Sequence, residues 1–230
     1  MIIHNKKMEQ ILEKILNCVE LGKINATSPY PPQMRGLNGA QELTKEALDS
    51  GLSPQEVMNT ALIPAMTRVG LKFSEGQIFV PQMLLSAKAM SAALIHIKPY
   101  FISGEVKRKG TFIIGTVYGD LHDIGKNLVS MMVEGAGWEV IDLGVDVQPE
   151  KFVNALDEHP DAYVGLSALL TTTMNNMKTI IDEVHKKHPN TKFIVGGAPV
   201  SAEFAEMIGA DGYGDDPRDD VMLLDKLVAN

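Results

Sequence analysis

Along the first hundred residues the apolar positions recur at three- and four-residue intervals, the spacing that places them on one face of a helix. Met8, Ile11, Leu12, Ile15, Leu16 and Val19 define one such face. Asn25 to Pro32, rich in Ser, Pro and Asn, reads as a loop. Asn38 with Gln41 three residues on predicts a capping box, opening a helix through Leu48 that Gly51 ends. Ser53-Pro54-Gln55-Glu56 is a second start with proline at the first helical position. That helix turns Val57, Met58, Ala61, Leu62, Ala65, Met66 and Val69 inward, and Pro64, which has no amide hydrogen, predicts a kink. A fourth helix runs from near Pro81 to about Ile97 on Met83, Ala87, Met90, Leu94 and Ile97. Four amphipathic helices predict a small bundle. Its Met and Ala content reads as core, and no His/Asp/Glu spacing marks a di-metal site.

The period then changes. Short apolar runs at Phe112–Val117, Glu139–Leu143, Ala162–Ser167 and Phe193–Gly197, with a weaker one at Asp211–Tyr213, alternate with helical segments near 126–136, 150–159, 174–188, 201–208 and 218–229. This alternation predicts a parallel sheet covered by helices on both faces. The fold class is therefore two-domain, a four-helix bundle followed by a flavodoxin-like, doubly wound, five-stranded sheet of order 2-1-3-4-5. The expected domains are 1–98 and 111–230, joined by a linker at 99–110 that contains proline, glycine and a basic cluster. With that strand order, the switch point lies between the first and third strands. A ligand is then expected against the loops Asp120–Gly125 and Ala168–Thr173.

Composition narrows the function classes. A net charge of -8 over 230 residues argues against general nucleic-acid binding or an anionic membrane surface. Lys107-Arg108-Lys109 is too short to reverse that and reads as solvated linker. The single cysteine, Cys18, lies among Ile15, Leu16 and Val19 and is expected to be a buried thiol. The N-terminus lacks the apolar core of a signal peptide, and no apolar run approaches the ~20 residues of a membrane span. A cytoplasmic protein without membrane or nucleic-acid partners is expected.

The chemistry concentrates in Gly119-Asp120-Leu121-His122-Asp123-Ile124-Gly125, between the first strand and its helix. His122 is a candidate metal ligand, and Asp120, two residues away, can hold one imidazole nitrogen while the other faces a metal. The alternative is that Asp120 caps the following helix and His122 is merely exposed. The absence of a Cys or second His nearby in sequence argues against zinc. The first strand is not followed by Gly-x-Gly-x-x-Gly, and Asp120 would repel a pyrophosphate. A phospho-acceptor module needs an aspartate where the third strand ends in Ser167. Ser167-Ala168-Leu169-Leu170-Thr171-Thr172-Thr173 is hydroxyl-rich, as helix-capping loops are. The Gly196-Gly197 turn allows close backbone approach or simply a tight turn.

Together, Asp120-x-His122-x-x-Gly125, Ser167-Ala168-Leu169 and Gly196-Gly197 resemble, in order and spacing, the cobalamin-binding module of methyltransferases and mutases. The resemblance implies a cobalamin bound base-off, with His122 as the lower cobalt ligand and the nucleotide tail in a slot of the sheet domain. Ser167 and Thr171 would line that slot beside Gly196 and Gly197, with Tyr213 and Asp216-Pro217 near its end. The segment Phe73 to Gln82 is similar to the cap over the upper corrin face, with Phe73 and Val80 at the capping positions. Methionine synthases have leucine at the place of Val80. They also have a serine completing an Asp–His–Ser relay, and its place falls on Thr173, which keeps the hydroxyl on a stiffer, β-branched side chain.

The bundle and sheet together use up the chain, leaving no barrel for a methyl donor or a folate or thiol acceptor. The resemblance is to the small corrinoid proteins of methanol, methylamine, betaine or methoxyaromatic metabolism. It implies a methyl carrier, cycling between methylcobalamin and cob(I)alamin, with little turnover of its own. Its partners would be a substrate-specific methyltransferase, a second methyltransferase for the acceptor and a reductive activase. The linker would be the hinge by which the cap moves aside. The rival readings are a cobalamin-dependent sensor or regulator and an adenosylcobalamin mutase subunit.

Overall fold

The computed structural model describes the backbone of residues 2–229 and the side chains of residues 7–229. The chain divides into two compact units, one up to Arg108 together with Gly135–Gly137, the other Lys109–Glu134 with the chain from Trp138 onward.

The first unit is helical: α1 (Ile2–Glu20), α2 (Ala40–Asp49), α3 (Pro54–Val57), α4 (Ile63–Ser74) and α5 (Val80–Ile102). The expected inward residues form its core, with Ile15, Val19, Val57, Ala61, Leu62, Val69, Met83 and Ile97 all fully buried. Cys18 is buried with them, and burial pushes its thiol up to about 11. Three details differ from the sequence pattern. The N-cap of α2 is Gly39, one residue later than expected, and the reaching side chain is Glu42, which accepts from the Gly39 amide at 2.9 Å and the Ala26 amide at 3.0 Å. Before Pro64 the backbone widens into a π-helical stretch, Met58–Leu62, and the Ile63 amide bonds Met58 rather than a residue four back. The wider turn accommodates a proline ring that would otherwise crowd the carbonyl four residues earlier. Finally, α5 continues through Pro99 to Ile102, so the start of the expected linker is helical. By length and apolarity α5 could cross a membrane, contrary to the reading that no run approaches that length, but half of its most apolar window is buried in the bundle.

The second unit is the predicted alternation: β1 (Thr111–Thr116), α6 (Ile124–Gly135), β2 (Glu139–Asp142), α7 (Pro149–Glu158), β3 (Tyr163–Ser167), α8 (Asn176–Lys187), β4 (Phe193–Gly196), α9 (Ala202–Ile208), β5 (Gly212–Gly214) and α10 (Pro217–Val228). The strands are parallel in the order β2-β1-β3-β4-β5. One face carries the larger core: Ile113, Val164, Leu166, Phe193 and Val195 pack against Phe152, Ile180, Ile181, Val184, Phe204 and Ile208 of α7, α8 and α9. The other face belongs to α6 and α10. There α10 is held by Asp225, which accepts from Lys109 Nζ at 2.8 Å and Trp138 Nε1 at 3.2 Å.

Candidate cofactor-binding site

The loop between β1 and α6 is held open by its neighbours. Gly119 has φ +80°, which favours glycine, and its amide donates to Asp146 Oδ1 at 2.7 Å. The Asp146 amide in turn donates to the Asp120 carbonyl at 3.0 Å, and the Thr116 hydroxyl donates to the His122 carbonyl at 2.9 Å. Asn176 of α8 donates to the Tyr118 carbonyl at 2.7 Å. Local geometry thus fixes where Asp120 and His122 point.

Asp120 is fully buried. Its Oδ2 accepts from the Thr173 hydroxyl at 2.7 Å and from the Leu169 and Leu170 amides at 2.8 Å and 3.3 Å. Its Oδ1 accepts from the His122 amide at 3.1 Å and lies 2.7 Å from His122 Nδ1. Burial alone would raise its pKa, but the Thr173 hydroxyl, the Leu169 amide and His122 together hold it well below the usual carboxylate range. An ionised Asp120 can only accept, so Nδ1 carries the proton of that contact. In the neutral ring Nε2 then carries the lone pair, on a side chain that is 51% exposed. Asp120 therefore orients the histidine and does not cap α6.

The two loops that carry and hold this pair expose apolar side chains. Leu121 and Ile124 are 72% and 70% exposed, and Leu169 and Leu170 are also exposed. Asp123 makes no hydrogen bond with the relay and accepts from Asn127 Nδ2 at 3.1 Å. A Cβ at Gly125 would meet nothing within 4 Å, so the protein's own packing does not require glycine there. Among the described residues no three His, Cys, Asp or Glu converge on a metal site. A metal at Nε2 has to bring its other ligands with it, and a flat apolar macrocycle matches both that need and the exposed leucines and isoleucine. The residues present fit a corrinoid.

The β3–β4–β5 ends supply a second feature. Thr116, Ser167, Gly196 and Gly214 are successive partners in the parallel ladder and so point to one face, that of α6 and α10. Beyond Ser167 the row has no side-chain bulk. The Ser167 hydroxyl has no hydrogen-bond partner among the described residues, and Thr171 is exposed. Gly197 has φ +121°, and a Cβ there would lie 1.9 Å from the Ala168 carbonyl oxygen, so the β3 and β4 turns touch backbone to backbone.

Not every expected residue comes to this row. Strand alternation turns Tyr213 to the opposite face, where it packs on the larger core and donates to Asp215 at 2.8 Å. The Asp216 carboxylate caps α10, accepting from the Arg218 and Asp219 amides at 2.7 Å and 3.0 Å, and Pro217 is its buried first residue. In the helical unit, Phe73 and Val80 flank the turn between α4 and α5 and are half-buried, while Phe79 beside them is 67% exposed.

Several site residues carried no signal of their own in the sequence. Thr116, Asp146 and the Leu170 amide act through backbone contacts, and Asp146 is marked only by its φ of +53°. Asp220 of α10 is a buried carboxyl, 6% exposed, seated where a side chain of Gly214 would be: a Cβ there would lie 2.5 Å from Asp220 Oδ1. Burial, with Asp219 and Asp216 nearby, raises its pKa to about 7. Because the folded value exceeds the unfolded one, Asp220 favours folding most below about pH 4, and that contribution is lost as pH rises through about 7. Asp220→Asn is therefore expected to stabilise the protein at pH 8 by up to about 4 kcal/mol, with the gain vanishing near pH 4. Urea unfolding across that range measures it, and a pH-independent difference would contradict it.

Comparison with known proteins gives the family. A B12-binding domain matches residues 110–222, and a second B12-binding domain matches residues 37–98. A corrinoid protein of Desulfitobacterium hafniense is 38% identical over 81% of this chain and 89% of its own. The trimethylamine corrinoid protein of Methanosarcina barkeri is 39% identical over 79% of this chain and 86% of its own. Among solved structures, the methanol:cobalamin methyltransferase complex of Methanosarcina barkeri matches with a TM-score of 0.80 at 28% identity, covering 96% of this chain and 80% of that one. A cobalamin-binding protein from Desulfitobacterium hafniense matches with a TM-score of 0.71 at 27% identity, covering 95% and 97%. The chain therefore belongs to the corrinoid proteins, with a helical B12-binding domain followed by a sheet-bearing one.

Proposed function

We propose that this protein is a corrinoid methyl carrier that serves two methyltransferases, one specific for the methyl donor and one for the acceptor. The observation that carries this is the chain Thr173–Asp120–His122, which ends in a half-exposed imidazole on loops that also expose Leu121, Ile124, Leu169 and Leu170. Relatives named for trimethylamine, and a solved complex named for methanol and cobalamin, support the pairing with a methyltransferase.

When bound, the corrinoid supplies a cobalt centre that accepts a methyl group and gives it up again. The chain's own residues do the rest. His122 Nε2 would hold the cobalt, with Asp120 accepting from Nδ1 so that the lone pair is presented at the other nitrogen. Thr173 and the Leu169 and Leu170 amides hold Asp120 in turn. Exposed Leu121, Ile124, Leu169 and Leu170 would exclude water on the His122 side of the cofactor. Gly125 and the Ser167–Gly196 part of the row would leave room for the nucleotide tail, with Asp220 seated at its Gly214 end, and Gly197 keeps the adjoining turn close. Within the helical unit, Phe73 and Val80, half-buried beside exposed Phe79, would be the cap residues. We place the protein in the cytoplasm, as its acidic, single-cysteine composition supports.

His122→Ala is the direct test. The variant, reconstituted with cobalamin, is expected to retain the corrinoid but lose the base-off, histidine-on absorption spectrum. Imidazole added to the variant should restore it in part. A spectrum identical to that of the unaltered protein would remove His122 as the ligand.

A further inference from the structure

The buried end of the glycine row holds a carboxyl with no assigned task. Asp220 projects from the first turn of α10 onto Gly214, at the sheet face that Ser167 and Gly196 also line. It is 6% exposed, its carboxylate takes no hydrogen bond from any described residue, and its oxygens are not fully closed off from a ligand or solvent. Buried polar groups are nearly always paired, so one left without a partner beside a row stripped of side chains marks a place for a ligand's polar edge. Its neighbours do not supply that partner. Asp216 is engaged in capping α10, Asp219 is another carboxylate, and Tyr213 faces the other side of the sheet.

We infer that Asp220 reads the lower base of the bound cobamide and favours an aminopurine over a benzimidazole. The inference rests on the reading that this face takes the nucleotide tail of a base-off corrinoid. A neutral carboxyl offers one donor and one acceptor side by side. The edge of adenine offers a ring-nitrogen acceptor beside an exocyclic amine donor, so the two close a pair of hydrogen bonds. A detached benzimidazole has one ring acceptor and no exocyclic donor, and leaves the carbonyl oxygen of Asp220 unpaired. The raised pKa of Asp220, about 7, agrees with this, since a substantial share of the carboxyl then carries the donor proton near neutral pH.

The test is a spectroscopic titration of the full-length protein, freed of corrinoid, with two cobamides that differ only in carrying adenine or dimethylbenzimidazole. The unaltered protein is expected to bind both base-off and the adenine form about tenfold more tightly, the effect of one additional satisfied hydrogen bond beside one otherwise left unmade. Asp220→Ala should abolish the difference. Asp220→Asn, whose amide has both a donor and an acceptor, should keep it. Equal affinities in the unaltered protein would overturn the inference while leaving the methyl-carrier reading intact, and this arm does not depend on any variant folding. An equal loss for both cobamides in Asp220→Ala would also overturn it, assigning the carboxyl to the ribose-phosphate they share. Binding of neither cobamide, or binding without base-off spectra, would sink the corrinoid reading and this inference with it.

Discussion

Gly197→Ala will cost the sheet domain about 4 kcal/mol or more, the largest effect expected of any single methyl group at the site. Two independent terms act. At φ +121° an L residue is strained by ~1–3 kcal/mol whatever the space around it. The new Cβ would also sit 1.9 Å from the Ala168 carbonyl oxygen, an atom of the backbone that cannot swing aside as a flexible side chain would. Relief requires the β3 and β4 turns to part, and the hydrogen bond from the Ala168 amide to the Gly196 carbonyl goes with them. Gly125→Ala is the control, because nothing lies within 4 Å of the added atom. It should leave stability within about 0.5 kcal/mol while weakening corrinoid binding. Urea unfolding of both variants decides the matter, and a loss below about 1 kcal/mol for Gly197→Ala would show the turns to be pliable.

Asp120→Ala is expected to be the next most damaging change, at about 3–5 kcal/mol. The carboxylate is fully buried and accepts from the Thr173 hydroxyl and the amides of Leu169, Leu170 and His122. Removing it strands several donors at once, each costing about 1–3 kcal/mol where water does not reach it. Thr173→Val should cost about 1–2 kcal/mol, and Thr173→Ser less than about 1 kcal/mol, since serine keeps the hydroxyl. His122→Ala should change stability little, because half of that side chain is already in solvent. This ordering separates the two halves of the relay. Asp120 holds the loops together, whereas His122 is free for a ligand. Equal costs for Asp120→Ala and His122→Ala in equilibrium unfolding would contradict it.

The relay also shows how far a linear reading reaches. Asp120 and His122 are two residues apart, so a histidine–carboxylate pair was legible as soon as the strand before them was recognised. That the pair is oriented rather than idle depends on Thr173, 53 positions away, whose hydroxyl arrives at 2.7 Å only because β1 and β3 are neighbours. A β-branched side chain there is no obstacle, since its hydroxyl donates to Asp120 from the turn just before α8. Tyr213 illustrates the reverse. It lies next to Gly214 in sequence, but alternation along β5 sends its ring to the other face of the sheet.

By itself, the sequence determined the two-domain organisation, the strand order and the loop that carries His122. These follow from hydrophobic period, turn residues and parallel-sheet topology, all of which act over short stretches of chain. Only the tertiary structure decided which groups are buried and which are satisfied. It buried Asp120 with five hydrogen-bond contacts and left Asp220 with none among the described residues. It also widened the helix before Pro64 into a π turn and moved the α2 cap to Gly39. Burial and hydrogen-bond satisfaction are properties of distant segments brought together. An aspartate in a row of aspartates therefore gives no sign, until the chain is folded, of which one has been left without a partner.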